Sequence, residues 1–371
     1  MKTVKVHLQE RSYDIVIGSS KERLAEKIQN LKLNPSRIFI VTTNSVAKAG
    51  HLKNLILILK PLKVNVNASI IPDGEAQKNI TQLTKLFQAA LRNRLDRKSL
   101  VIALGGGVVT DMAGFLAATY MRGVPYISVP TTLLAMVDAS IGGKTGIDLD
   151  EGKNLVGAFW QPKLVFVDPS FLKTLSDRDW KTGFAEIIKY GLIKRIDFFR
   201  WLERKVKNQP HLKKWTPADV FHAIYTSALT KAQVVSGDER ETPLKGGREI
   251  LNFGHTIGHA LEAATGYKKM THGEAISVGM GVVGDMSVSL GLWDTLSHRR
   301  MIDLLKNSGL PVRIPSLNSQ QKKIFWNSLQ KDKKHVSGSL RFVLPLKLGA
   351  VQVQSGISIL IVKKSLHKLG F

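Results

Sequence analysis

Leu100-Val-Ile-Ala-Leu104 runs directly into Gly105-Gly-Gly107 and then Val108-Val-Thr-Asp111. An unbroken apolar run has no polar face, so it suits a strand buried on both sides of a sheet. The glycines read as a tight turn, and the helical pattern of residues 111–120 follows. Such a turn lets the backbone approach a pyrophosphate, and the helix N-terminus offers partial positive charge and free N–H groups. It is not the ordinary G-x-G-x-x-G fingerprint, so a plain strand–helix turn is an equal reading at this point.

Outward from this stretch, strands are predicted at residues 4–8, 13–17, 37–42, 65–71, 99–104, 126–129 and 164–167, with Leu55-Ile-Leu-Ile-Leu59 as another apolar run suited to a buried strand. Helical patterns lie between them, as at residues 80–91. Strand–helix alternation with continuous apolar strands predicts a parallel sheet covered on both faces, a Rossmann-like α/β layer. Pro72-Asp-Gly-Glu75-Ala-Gln-Lys78 and Pro130-Thr-Thr132 stand at two further strand ends, where open α/β sheets bind ligands. Carboxylates there suit ribose hydroxyls and a lysine suits phosphate, so a dinucleotide site is predicted. Asp138-Ala-Ser-Ile-Gly-Gly-Lys144-Thr-Gly then leads to Lys153-Asn154, whose lysines can reach a phosphate or stand as solvated charges.

From about Leu175 the texture changes to long helical patterns reaching about Leu305, with strand-like segments at 340–344 and 351–353. The expected organisation is a Rossmann-like domain over residues 1–175 and a mostly α-helical domain over 176–371. A chain of 371 residues exceeds what one core usually organises.

Within the second half, Asn252-Phe-Gly-His255-Thr-Ile-Gly-His259 and Thr271-His272-Gly-Glu274 hold three of the ten histidines. His255 and His259 share a helix face, and a glycine turn at Gly266 lets His272 fold back towards them. Converging imidazoles are raw material for a transition-metal site, although packing histidines in a helical hairpin would look the same. With no cysteine in the chain, any such metal must be held by His and carboxylate.

The absence of cysteine also rules out disulfides, no apolar run approaches a membrane span, and the N-terminus carries no signal-peptide apolar region; a cytoplasmic enzyme is expected. Lys and Arg number 54 against 29 Asp and Glu, a net charge of +25. The basic residues are dispersed and no zinc-finger or RNA-binding signature accompanies them, which argues against a nucleic-acid partner.

Taken together, the chain resembles the 3-dehydroquinate synthase family within the sugar phosphate cyclases. The resemblance runs in order from about Pro72 to Lys334, through Leu104–Asp111, Arg122-Gly-Val, Pro130–Asp138, Gly142–Gly146, Gly152-Lys-Asn154, Ala185-Glu-Ile-Ile-Lys-Tyr-Gly191, the two histidine segments and Asp332-Lys-Lys334. It implies Glu186, His255 and His272 as ligands of zinc, with cobalt as an alternative. It implies NAD on Asp73, Gly74, Glu75, Ala76, Gln77, Lys78, Gly106, Gly107, Val108, Asp111, Thr131, Thr132, Lys144, Lys153 and Phe171-Leu172-Lys173-Thr174. Asp138, Lys144, Asn154, Lys189, Lys231, Arg248, Asn252, His259 and Lys333 are implied to surround a phosphorylated sugar acid. Arg122 is implied to reach the neighbouring subunit's substrate in a homodimer.

Three departures stand out. Thr110 occupies a usual glycine, Thr43 or Asn44 replaces an acidic residue after the strand at 37–42, and the segment Asp238–Arg248 is about three residues longer than usual, leaving Lys245 as a second candidate for the Arg248 role. The reaction so implied turns 3-deoxy-D-arabino-heptulosonate 7-phosphate into a carbocycle with loss of phosphate. NAD⁺ oxidises an alcohol transiently by taking its hydride, which makes the neighbouring C–H acidic, and the NADH so formed later returns that hydride to the substrate. The substrate phosphate serves as base. Rival readings are a cyclase for a substrate without a carboxylate, which Arg248 argues against, and a metal-dependent polyol dehydrogenase, which lacks this lysine array. A catalytically inactive basic binding protein is disfavoured because every expected ligand is present.

Overall fold

The computed structural model of the chain describes residues 1–18, 20–150, 152–242, 247–335 and 340–371, without the side chains of 331–335. The chain forms two compact units, Met1–Leu175 with Pro217–Ser236, and Ser176–Thr216 with Gly237–Phe371. The first begins with β1 (Lys2–Val6), β2 (Tyr13–Ile17), α1 (Leu24–Asn30), β3 (Arg37–Thr43), α2 (Asn44–Lys48), α3 (His51–Leu59) and β4 (Asn65–Ile71). It continues with α4 (Ile80–Arg92), β5 (Leu100–Gly105), α5 (Gly107–Thr119), β6 (Tyr126–Pro130), β7 (Lys144–Leu149), β8 (Gly152–Phe159) and β9 (Leu164–Val167).

Seven of these strands form one sheet in the order β1-β2-β9-β6-β5-β3-β4. Only β1 with β2 is antiparallel. Strands β5, β6 and β9 are buried at every position, as an apolar run without alternation requires. The strand order reverses between β3 and β5, since β4 lies outside β3 and β6 outside β5. Ligands of open α/β sheets bind at such a point, and the Thr42 hydroxyl ties the two strand ends by donating to the Leu104 carbonyl at 2.7 Å.

The run Leu55–Leu59 is helical, not a strand: it closes α3, with Leu55 and Leu59 buried and Leu57 48% exposed. Leucines four apart make one helix stripe, and their helix propensity outweighs the strand-like composition. The Lys144 and Lys153–Asn154 segments form an antiparallel hairpin, β7 with β8.

In the second unit α6 (Asp177–Lys194) and α7 (Ile196–Asn208) come first. Then α8 (Pro217–Gly237) groups with the first unit through Ser236, although it lies beyond residue 175 in the chain. Its contacts explain this. Ser236 Oγ accepts from the His7 amide at 2.9 Å, Lys2 lies 4.7 Å over the Tyr225 ring, and Lys231 pairs with Asp138. The second unit resumes with α9 (His255–Ala264), α10 (His272–Ser289), α11 (Thr295–Asn307), α12 (Ser319–His335), β10 (Arg341–Lys347), β11 (Ala350–Ser355) and α13 (Ile359–Lys368). Helix α9 packs on α10 and α12, and α10 also meets α6. No helix among the described residues is long and apolar enough to cross a membrane.

The α9–α10 packing depends on Gly279, where an added Cβ would lie 2.0 Å from the Gly254 carbonyl oxygen, immediately before His255. Backbone cannot retreat cheaply. Gly279→Ala is expected to cost about 3 kcal/mol, the upper end for overpacking a core. The denaturant midpoint should fall clearly, and an unchanged midpoint would show that α9 and α10 have slack.

Candidate metal centre and nucleotide cradle

Helix α6 carries Glu186 and Lys189 one turn apart, both buried, with the Lys189 ammonium against Glu186 Oε2. His255 opens α9, and His272 opens α10 within a capping box made by Thr271 and Glu274. Glu186 Oε1 lies 3.4 Å from His255 Nε2 and 3.2 Å from His272 Nε2. Ligand atoms about 2.0–2.1 Å from one tetrahedral ion sit about 3.3 Å from each other, so this spacing fits a single zinc-sized ion. His255 Nδ1 faces the Phe253 carbonyl at 3.1 Å, which leaves Nε2 as the lone-pair nitrogen.

The electrostatics separate the three donors. Burial opposes charge on Glu186, but Lys189 and His255 outweigh it and hold the carboxyl well below its usual range. Burial, reinforced by Lys189, lowers His255. His272 goes the other way. Burial opposes its charge, yet Glu262 and Glu186 raise its pKa to about 10 in the metal-free protein.

Beside this cluster, Arg248 is 2% exposed in a 3-10 turn, Arg248–Asn252. Its backbone amide donates to Asp238 Oδ2 at 3.0 Å and its Nη1 to the Glu239 carbonyl at 2.5 Å. Asn252 Nδ2 donates to Glu241 Oε1 at 2.7 Å. His259 is exposed, with its ring 5.3 Å from His255. Lys245 and the Lys333 side chain lie outside the described residues.

In the first unit, α5 begins at Gly107 with no side-chain cap, so its first amides are available to an anion. A Cβ on Gly106 would come within 3.0 Å of Thr132 Cγ2, so the glycine turn and the Thr131–Thr132 turn lie side by side. The Thr131 amide donates to the Gly105 carbonyl at 2.9 Å. Thr110, where the resemblance implies a glycine, is accommodated with its hydroxyl donating to the Gly107 carbonyl at 2.9 Å. Near Thr43 and Asn44, Asp73 accepts from Ser45 Oγ at 2.6 Å, which brings a carboxylate to the end of β3.

Gly74, Glu75, Ala76 and Gln77 form a turn ahead of Lys78, which is buried. The Lys78 ammonium donates to Asp111 at 2.6 Å and to Asn154 Oδ1, with Asp148 at 3.9 Å. Burial works against this charge, but Asp111, Glu75 and Asp148 outweigh it and raise the Lys78 pKa. Lys153 pairs with Glu75 at 3.3 Å. Asp138, in a π-helical turn, meets Lys231 at 2.8 Å. Lys144 and Arg122 are exposed. Phe171, Leu172, Lys173 and Thr174 lie in one 3-10 helix, where His51 meets the Phe171 ring edge-on and Thr174 Oγ1 at 2.9 Å.

His51, Ser45, Asp148, Glu241 and Glu262 were not singled out in the sequence. Glu262 had a signal, falling seven residues after His255 on the same helix face.

A Rossmann-like unit and a helical unit with a carboxylate–histidine cluster define a class with solved members. A 2-epi-5-epi-valiolone synthase from Streptomyces hygroscopicus, with NAD⁺ and Zn²⁺ bound, matches with TM-score 0.86 and 27% identity over 98% of each chain. A 2-deoxy-scyllo-inosose synthase complexed with carbaglucose-6-phosphate, NAD⁺ and Co²⁺ matches at 0.85 and 25%, over 99% of this chain and 100% of the other. Residues 68–182 match the family 3-dehydroquinate synthase N-terminal, and residues 183–335 match 3-dehydroquinate synthase C-terminal. The 3-dehydroquinate synthase of Nostoc punctiforme is 42% identical over 98% of both chains, and that of a Prochlorococcus marinus strain 43% over 99% of this chain and 98% of its own. The chain belongs to the 3-dehydroquinate synthase family.

Proposed function

We propose that the chain converts 3-deoxy-D-arabino-heptulosonate 7-phosphate to 3-dehydroquinate and phosphate, as a lyase of the shikimate pathway. The observation that carries this reading is 42% identity to a curated synthase over 98% of the chain, in a chain whose Glu186, His255 and His272 cluster at ion spacing. Those three residues would hold zinc, with cobalt as the alternative, and the glycine turn with Thr131 and Thr132 would hold NAD⁺. When bound, the metal polarises a substrate alcohol and NAD⁺ takes and returns one hydride, making the neighbouring C–H acidic.

The protein's own groups do the rest. Lys189, buried beside Glu186, presents a fixed positive charge to a substrate oxygen. Arg248, with Lys231 and Asn252, grips the substrate carboxylate, where the planar guanidinium offers two parallel donors. Lys144, Asn154 and Lys333 position the phosphate, which acts as its own base, and His259 relays a proton. Lys78 keeps Asp111 neutralised and holds Asn154 in place.

Arg122 fits a role at the neighbouring subunit's phosphate in a homodimer. It is exposed next to Met121, and β8 shows Leu155, Val156 and Phe159 to solvent at 50%, 37% and 41%. Exposed apolar side chains on one strand are suited to burial against a second copy. A cytoplasmic setting accords with the absence of cysteine.

NAD⁺ recycling distinguishes this reaction from polyol oxidation. Product should form on substoichiometric NAD⁺ with no net NADH absorbance. Stoichiometric NADH would instead mark a dehydrogenase.

A further inference from the structure

Helix α9 places His255, His259 and Glu262 at positions i, i+4 and i+7, on one face. Glu262 is 3% exposed, and a buried carboxylate is costly unless it is paired or hydrogen-bonded. Its Oε2 lies 3.3 Å from His272 Nδ1, while His272 Nε2 lies 3.2 Å from Glu186 Oε1. The His272 ring therefore stands between two carboxylates, one on each nitrogen.

We propose that Glu262 is a positioning residue for the metal centre: it accepts the Nδ1–H of His272 and so commits Nε2 to the ion. A neutral imidazole carries one N–H and one lone pair, and the hydrogen bond at one nitrogen decides which is which. Without an acceptor at Nδ1, part of the population would turn an N–H towards the ion. The two histidine ligands are held differently. His255 Nδ1 meets a neutral carbonyl, whereas His272 meets a carboxylate, which makes it the more basic donor.

This inference rests on Glu186, His255 and His272 being the metal ligands. His259, Glu262 and His272 also bring ligand atoms within 4.8 Å of one another, so a second ion on Glu262 itself is the competing arrangement.

The test uses full-length metal-free protein titrated with zinc against a chromophoric chelator, for wild type, Glu262→Gln and Glu262→Ala. Histidine ¹⁵N resonances are recorded for each zinc form. Wild type should take one equivalent. Glu262→Ala should still take one, but about 10- to 100-fold more weakly, with the His272 Nδ1–H signal lost to exchange. Glu262→Gln keeps the shape and an acceptor oxygen without the charge, so it should retain the signal and fall between the two in affinity. It also decides the matter if the alanine variant does not fold, because wild-type affinity in Glu262→Gln would then overturn the proposal. Tight wild-type binding that is unchanged in Glu262→Ala removes the role of Glu262 alone. Two equivalents in wild type, with one lost in Glu262→Ala, makes Glu262 a ligand and overturns it as well. No zinc uptake by wild type removes the metal reading and this role together.

Discussion

His272→Ala is expected to abolish stoichiometric zinc binding and, with it, activity. The substitution removes one of two imidazole donors that lie 3.4 and 3.2 Å from the same Glu186 oxygen, a spacing that fits a single ion. Losing a partner one step removed from a metal costs about 10- to 100-fold in affinity, and losing a ligand should exceed that. The variant should fold, because the capping box of α10 is made by Thr271 and Glu274 and stays intact. Metal analysis of the purified protein, beside its thermal melting curve, reads the result. Retained stoichiometric metal in a folded variant would mean that the trio is not the ligand set.

Arg248→Ala should lower kcat/KM by two orders of magnitude or more while leaving zinc and NAD⁺ binding in place. Breaking a buried charge pair by removing one partner costs about 3–5 kcal/mol, and about 1.4 kcal/mol is tenfold. Arg248 is almost wholly buried, its backbone amide donating to Asp238 and its Nη1 to the Glu239 carbonyl, so its guanidinium is pre-oriented and not a surface charge. Its carbonyl and carboxylate partners are neighbours in chain, and none belongs to the metal trio. Near wild-type turnover in the variant would place carboxylate recognition elsewhere, with Lys245 the next residue to change.

What could be read beforehand followed the physics of each segment. Strands β5, β6 and β9 are buried on both faces, so their composition alone announces them. The two histidines at helical spacing and the third after a glycine turn announced a cluster, but Glu186 on α6 came only through the resemblance. The run Leu55–Leu59 misled because five aliphatic residues carry no period that separates a strand from a short helix. The grouping of α8 with the first unit depends on pairs far apart in sequence, such as Lys2 with Tyr225 and Asp138 with Lys231, which no local pattern encodes. Lys78 shows a subtler limit. A lysine beside a turn reads as suited to phosphate, but its burial against Asp111 and Asn154 joins residues far apart in sequence and has no local signal.

The central claim is the reaction, and phosphate release tests it most directly. Wild-type protein with zinc and a catalytic amount of NAD⁺ is offered 3-deoxy-D-arabino-heptulosonate 7-phosphate, glucose 6-phosphate and sedoheptulose 7-phosphate in parallel. The expected result is rapid phosphate release from the heptulosonate phosphate, without NADH accumulation, and little from the two substrates that lack a carboxylate. Preference for either carboxylate-free sugar phosphate would contradict the assignment.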